Sequence, residues 1–209
     1  MDTDKNNGIY RIIGIDPGTE TLGVSVLDLN MTDLSIKSCK AFTLIGSQSE
    51  YFDKETARYH SHRQARLEAH RQNLFSLFHE LEPSLVCIES PFYNPRRPNA
   101  FAPLVETLLC VREALLRYDW HMKLSPLDPP RVKKAIGAKG NAGKDDVKIA
   151  LEKHLSELKL DKAYFEELDE HSVDAICVAY AHYWKVKETF QNEAKETTDS
   201  SKTKRKGKK

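Results

Sequence analysis

Long apolar runs are missing from this 209-residue sequence. The longest, such as Leu85–Ile88 and Ala175–Ala181, fall far short of the roughly 20 residues that a bilayer crossing needs, so no membrane span is expected. Cysteine is scarce as well. Cys39, Cys87, Cys110 and Cys177 lie far apart with no C-x-x-C pair. Cys87 and Cys177 sit in apolar segments, where a thiol serves as a small hydrophobe rather than as a zinc ligand or half of a disulfide. The amino terminus, Met1-Asp-Thr-Asp-Lys-Asn-Asn, carries acids and no apolar stretch behind them, so no secretory leader is expected and the expected location is the cytoplasm.

Net charge is nearly absent too, at +1, but its distribution is uneven. Residues 201–209 hold six cations and no anion, which leaves −5 for the 200 residues before them. Such a run buries no apolar area. Residues 191–209 are therefore expected to form a disordered basic tail, either open to a polyanion or merely solubilising. An acidic body still binds DNA when its cations gather on one face and metal ions hold its carboxylates.

What is present is a 23.9 kDa chain, 40% hydrophobic and 30% charged, enough for one domain with a sizeable core. Residues 1–8 read as a flexible leader to a domain over 9–190, without internal repeats. Residues 9–16 form a β-branched run ending in an acid, Asp16. Pro17-Gly18 makes a turn, and strand-like stretches follow near 22–29 and 34–44. Leu67, Leu74, Phe75, Phe78 and Leu81 recur at helical spacing until Pro83. Leu85–Ile88 reads as a strand buried on both faces, again ending in an acid, Glu89. Helix is expected over 102–118, strand over 120–124 and a short helix from Asp128-Pro129-Pro130. Two more helices are expected over 145–158 and from 169 towards 190. Three consecutive strands, then strands alternating with helices, give an α/β fold with a mixed sheet covered by helices.

Two acids thus end apolar strands, and a third, Asp174, lies in the apolar helix Val173-Asp-Ala-Ile-Cys-Val-Ala-Tyr180, with His171 one turn earlier on the same face. Any one of these acids alone has ordinary surface or capping roles. Clustered, they repel and stay protonated unless a cation compensates, and hard oxygen ligands suit Mg²⁺ or Mn²⁺. His60, His62, His70 and His79 fall in a polar helical stretch and are expected to be solvated.

The segments Ile13-Gly-Ile-Asp-Pro-Gly-Thr-Glu-Thr-Leu-Gly23, Cys87-Ile-Glu-Ser-Pro-Phe92, Arg131-Val-Lys-Lys-Ala-Ile-Gly-Ala-Lys-Gly-Asn-Ala-Gly-Lys144 and His171-Ser-Val-Asp174 resemble, in that order, the RuvC Holliday-junction resolvases of the RNase H-like superfamily. The likeness spans roughly residues 9–185, and its third segment is the discriminating one. It implies a mixed five-stranded sheet flanked by helices and makes Asp16, Glu89 and Asp174 catalytic, metal-holding carboxylates. His171 stands where many members have a fourth. It implies an Mg²⁺-dependent endonuclease, with Mn²⁺ as substitute and two ions per site, that nicks four-way junctions symmetrically to leave 5′-phosphate and 3′-hydroxyl ends. It further implies a homodimer, in a bacterial or phage-encoded cytoplasmic protein.

Expected DNA contacts are Arg131, Lys133, Lys134, Lys139 and Lys144, from a basic stretch that also holds Lys148, with Phe92 and Tyr93 stacking on bases at the crossover and Arg96 and Arg97 on phosphates. Of these, Lys133, Lys144 and Phe92 follow from the resemblance. Lys134 and Lys139 rest on charge alone. The two prolines and paired arginines of 94–99 depart from the family pattern and put junction selectivity in doubt. The helix near Leu104–Leu116, with Leu104, Leu108, Cys110, Val111 and Leu115, carries more apolar positions than one sheet-facing stripe requires, which marks it for the dimer contact. A broader branched-DNA nuclease cutting forks or flaps, and a junction-binding module with weak cleavage, remain as alternatives.

Overall fold

The computed structural model describes residues 8–93, residue 95 and residues 98–206, with 191–206 described by backbone course alone. Strands β1 (Ile9–Asp16), β2 (Thr21–Asn30) and β3 (Ile36–Ile45) form an antiparallel meander. Helices α1 (Lys54–Tyr59) and α2 (His62–Leu81) lead to β4 (Leu85–Glu89), which pairs in parallel with β1. Helix α3 (Phe101–Tyr118) carries the chain to β5 (Leu124–Leu127), parallel to β4. The sheet order is β3-β2-β1-β4-β5. Helices α4 (Pro129–Ala135), α5 (Lys144–Glu152), α6 (Leu155–Leu158), α7 (Lys162–Glu167) and α8 (Glu170–Lys206) complete the chain.

The expected mixed five-stranded sheet is present, and side-chain alternation along its central strands builds two cores. One face of β1 and β4, with Ile13, Ile15, Val86 and Ile88, packs on Leu74 and Phe78 of α2 and on Val111 and Leu115 of α3. The opposite face, with Ile12, Leu27 and Cys87, packs on Val173, Ile176, Cys177 and Tyr180 of α8 and on the α4–α7 helices. All four cysteines are buried free thiols. Cys87 donates to the carbonyls of Ile13 and Val178, as expected of a thiol used for packing.

Several boundaries differ from the sequence reading. Strand β5 begins at Leu124 rather than ending there and includes Pro126, which breaks a ladder donor; as an edge strand it tolerates the proline. Trp120, expected in that strand, is 75% exposed. The helix expected over 145–158 is interrupted at 153–154, where the His154 ring bonds Tyr180 and the Ile136 carbonyl. Helix α8 runs on past the expected end of the domain, from Glu170 to Lys206. His70 is wholly buried rather than solvated, because α2 turns it towards Gly46 and away from water.

Candidate active site

β1 and β4 run in parallel with Ile15 opposite Ile88, so Asp16 and Glu89, each the last residue of its strand, emerge at the same end of the sheet. Asp174 comes to them on the first turns of α8. That helix approaches because β2 presents small residues to it at alternate positions. Gly23 has no Cβ, and one placed there would collide with the His171 carbonyl, while the Ser25 hydroxyl donates to the Ala175 carbonyl at 2.7 Å. The start of α8 is fixed a second way. Asp169 accepts from the Ser172 amide at 2.9 Å as an N-cap and from the Thr43 hydroxyl of β3 at 2.7 Å.

The three acids share one field. Asp16 is 9% exposed, and burial raises its pKa against the pull of His171. Burial, then the charges of Asp16 and Asp174, push Glu89 up to about 8, with Lys133 opposing. Asp174 rises to about 6, through burial and then Asp16, with Lys144 opposing. His171 Nδ1 lies 2.8 Å from Asp16 Oδ2, and this bond raises the imidazole pKa. His171 Nε2 lies 2.7 Å from the Thr21 hydroxyl.

A cleft of about 240 Å³ opens beside the acids, lined by Glu89, Lys133, Lys144, Asp174 and Cys177 among others. Lys133 is half-buried and donates to the Ala142 carbonyl at 2.7 Å, which ties α4 to the loop before α5. Gly137 starts that loop in a left-handed conformation, φ +78°, as a residue after a helix end often does. Lys144 is exposed and pairs with Glu170 at 2.5 Å, so α5 and α8 are joined at the mouth of the cleft.

The expected residues therefore divide. Glu89, Asp174, Lys133 and Lys144 line one cleft, and Asp16, bonded to His171, lies near enough to raise the pKa of both acids. Arg131, Lys134 and Lys139 are exposed on α4 and the loop after it. Lys148 instead donates to the Leu168 carbonyl at 3.2 Å and lies over the Phe165 ring, so its ammonium is spent inside the fold. Phe92 and Tyr93 stand 59% and 55% exposed just past Glu89, and Tyr93 meets Phe101 edge-on at 5.9 Å. Arg96 and Arg97 lie outside the described residues. On α3, Cys110, Val111 and Leu115 are buried within this chain and cannot carry a dimer contact, because α3 spends them on α2 and the sheet. Leu109 and Leu116, seven residues apart, are exposed apolar residues of that helix, as is Phe101 at its start. The sequence reading missed Thr21 and Glu170. Only the alternation of small residues along Thr21, Gly23 and Ser25 hinted at the first.

As a donor set, three carboxylates and one imidazole suit a hard divalent cation, and the raised Glu89 and Asp174 are the protein's own record of charge that a cation would relieve. Among the described residues no three His, Cys, Asp or Glu side chains already close on a single point. Asp16 Oδ2 is engaged by His171 instead. The acids can hold a cation, and Lys133 and Lys144 beside them can offset the charge of a phosphate.

No protein-family profile matches the chain. The RuvC crossover junction endodeoxyribonuclease of Prochlorococcus marinus is 25% identical over 173 residues, covering 83% of this chain and 95% of the relative. That of Finegoldia magna is 25% identical over 189 residues, covering 88% and 99%. Among solved structures, Thermus thermophilus RuvC superposes with a TM-score of 0.64 at 19% identity, covering 86% of this chain and 97% of that one. Its complex with a Holliday junction substrate gives 0.63 at 20% identity, covering 86% and 96%. The chain thus has the α/β fold of these structures, with its five strands in the order β3-β2-β1-β4-β5. Over most of its length the chain is similar to RuvC crossover junction endodeoxyribonucleases.

Proposed function

We propose that this protein is a divalent-metal-dependent endonuclease that resolves four-way DNA junctions by paired, symmetric nicks leaving 5′-phosphate and 3′-hydroxyl ends. The observation that carries the reading is the electrostatic coupling of Asp16, Glu89 and Asp174, from three separate elements, beside a cleft lined by Glu89, Asp174, Lys133 and Lys144. RuvC relatives that match over most of their length support it.

Asp16, Glu89 and Asp174 would hold two Mg²⁺ ions, with Mn²⁺ as substitute, and His171 would complete the set. Bound there, such ions supply a nucleophilic water and offset the charge on the leaving oxygen. The protein's own groups do the rest. Lys144 exchanges its exposed partner Glu170 for a DNA phosphate, at little cost because exposed pairs are weak. Lys133, held by the Ala142 carbonyl, presents a fixed positive charge beside Glu89. His171 is the residue able to take up or return a proton near Asp16. Phe92 and Tyr93 offer ring faces to unstacked bases at the branch. Arg131, Lys134 and Lys139, with Arg96 and Arg97, grip phosphates along the arms.

Paired nicking needs two sites. We assign the dimer contact to α3 through Leu109 and Leu116, flanked by Glu106 and Glu113 and by Arg71 of α2, around a groove of about 250 Å³. The test is cleavage of a labelled four-way junction, a Y-fork and linear duplex side by side, in Mg²⁺, Mn²⁺ and EDTA. Asp16→Asn is expected to abolish cleavage while keeping junction binding. Paired nicks confined to the four-way junction are expected from the wild type. Equal cutting of the fork would make it a general branched-DNA nuclease, and binding without cutting in either metal would leave a junction-binding module.

A further inference from the structure

The function above gives no role to Thr21, yet its hydroxyl is the second partner of the His171 ring. We infer that Thr21 is a positioning residue that sets the tautomer and orientation of His171, its hydroxyl holding Nε2 so that Nδ1–H is turned onto Asp16. The argument starts at the carboxylate. An ionised Asp16 oxygen can only accept, so the nitrogen facing it at 2.8 Å, Nδ1, carries the hydrogen. In the neutral ring Nε2 is then a bare acceptor, and the hydroxyl 2.7 Å away must donate to it. Glu170, 3.7 Å from the same nitrogen, would favour a hydrogen on Nε2. Its Oε1 is drawn off by Lys144 at 2.5 Å, which leaves Thr21 as the group that decides.

The backbone explains why Thr21 can do this. Thr21, Gly23 and Ser25 alternate along β2 and therefore share one face, the face that receives α8. Each of the three meets the helix at a fixed point. Thr21 touches the His171 ring, Gly23 leaves room for the His171 carbonyl and Ser25 bonds the Ala175 carbonyl. The ring is thus aimed by the same strand that seats the helix. A hydroxyl at position 21 fixes Nε2 as the nitrogen whose lone pair is free for a proton or a cation once the hydroxyl yields it.

The bearing of this on catalysis rests on the endonuclease reading, but the tautomer itself does not, so the first readout is independent of cleavage. Nitrogen NMR of the full-length, isotope-labelled protein in chelator at pH 9, where the ring is neutral, resolves the two ring nitrogens, with the His171 signals assigned by their loss in His171→Gln. The wild type is expected to show one protonated nitrogen, Nδ1, and one bare nitrogen, Nε2. In Thr21→Val the ring is expected to lose that preference, and in Thr21→Ser to regain it. Thr21→Ala, which removes the hydroxyl without new bulk, replaces the valine variant should valine unfold the chain. Junction cleavage is expected to slow roughly tenfold in kcat for Thr21→Val with junction affinity unchanged, and to recover in Thr21→Ser. A wild-type His171 spectrum in Thr21→Val or Thr21→Ala, or a serine variant no better than valine, would overturn the inference. A wild type that cuts nothing would overturn the endonuclease reading while leaving the NMR result to decide this one.

Discussion

Glu89 shows how much folding free energy a site of like charges withholds. Its carboxyl titrates at about 8 in the fold against an ordinary value of 4.5. Between those two values the folded protein holds a proton that the unfolded chain has released, so the stability of the metal-free protein falls as pH rises through that window. Asp174, at about 6 against 3.8, acts with the same sign over a lower range. At pH 9 in chelator, Glu89→Gln is expected to unfold at higher denaturant and to gain about 3 kcal/mol. The gain should vanish near pH 4, where the wild-type acid is neutral in both states. Equal denaturation midpoints at pH 9 would show that the ionised Glu89 costs the fold nothing and that its carboxyl is not raised. These acids were legible in the sequence because each stood where an apolar strand or helix should not carry charge. Thr21 was not legible, because a hydroxyl becomes a partner of His171 only when positions 150 residues apart are folded together.

Among the elements, α8 matters most, since it walls one core and carries Asp174 and His171. Its close seating depends on glycine in the strand beneath it. A Cβ on Gly14 would stand 2.5 Å from the Ala175 carbonyl oxygen and 2.7 Å from the Ala179 amide, both backbone atoms that cannot turn aside. Gly14→Ala is therefore expected to cost about 3 kcal/mol and to lower the melting temperature. An unchanged melting curve would mean that α8 can lift from the sheet freely. The order of strands and of the main helices was readable from periodicity. The missed features have local causes that periodicity does not carry. Pro126 argued against a strand that its edge position allows, and the tertiary bonds of the His154 ring interrupt a helix whose sequence runs on. The short α1 and α7, capped by Asp53 and Asp161, have too few turns for a hydrophobic stripe to register.

For the molecule as a whole, charge is the organising fact: an acidic body of net −5 ends in six cations at positions 202, 204, 205, 206, 208 and 209. If that end grips DNA, each phosphate it neutralises adds roughly 0.9 to the salt dependence of binding. Deleting residues 201–209 is expected to flatten a plot of log affinity against log salt by about 3, measured on a four-way junction. An unchanged slope would leave the tail outside the complex. No described helix is long and apolar enough to cross a membrane, in keeping with the sequence.

The course of α8 also places a boundary inside a single helix. Its residues are buried from Ser172 to Tyr183, apart from Asp174, and exposed by Glu188, with no break in the backbone between the two halves. Within α8, a protease offered the native protein should therefore cut the outer half and trim that helix back towards residue 188. The inner half, with His171 and Asp174, would resist because it is packed on the sheet.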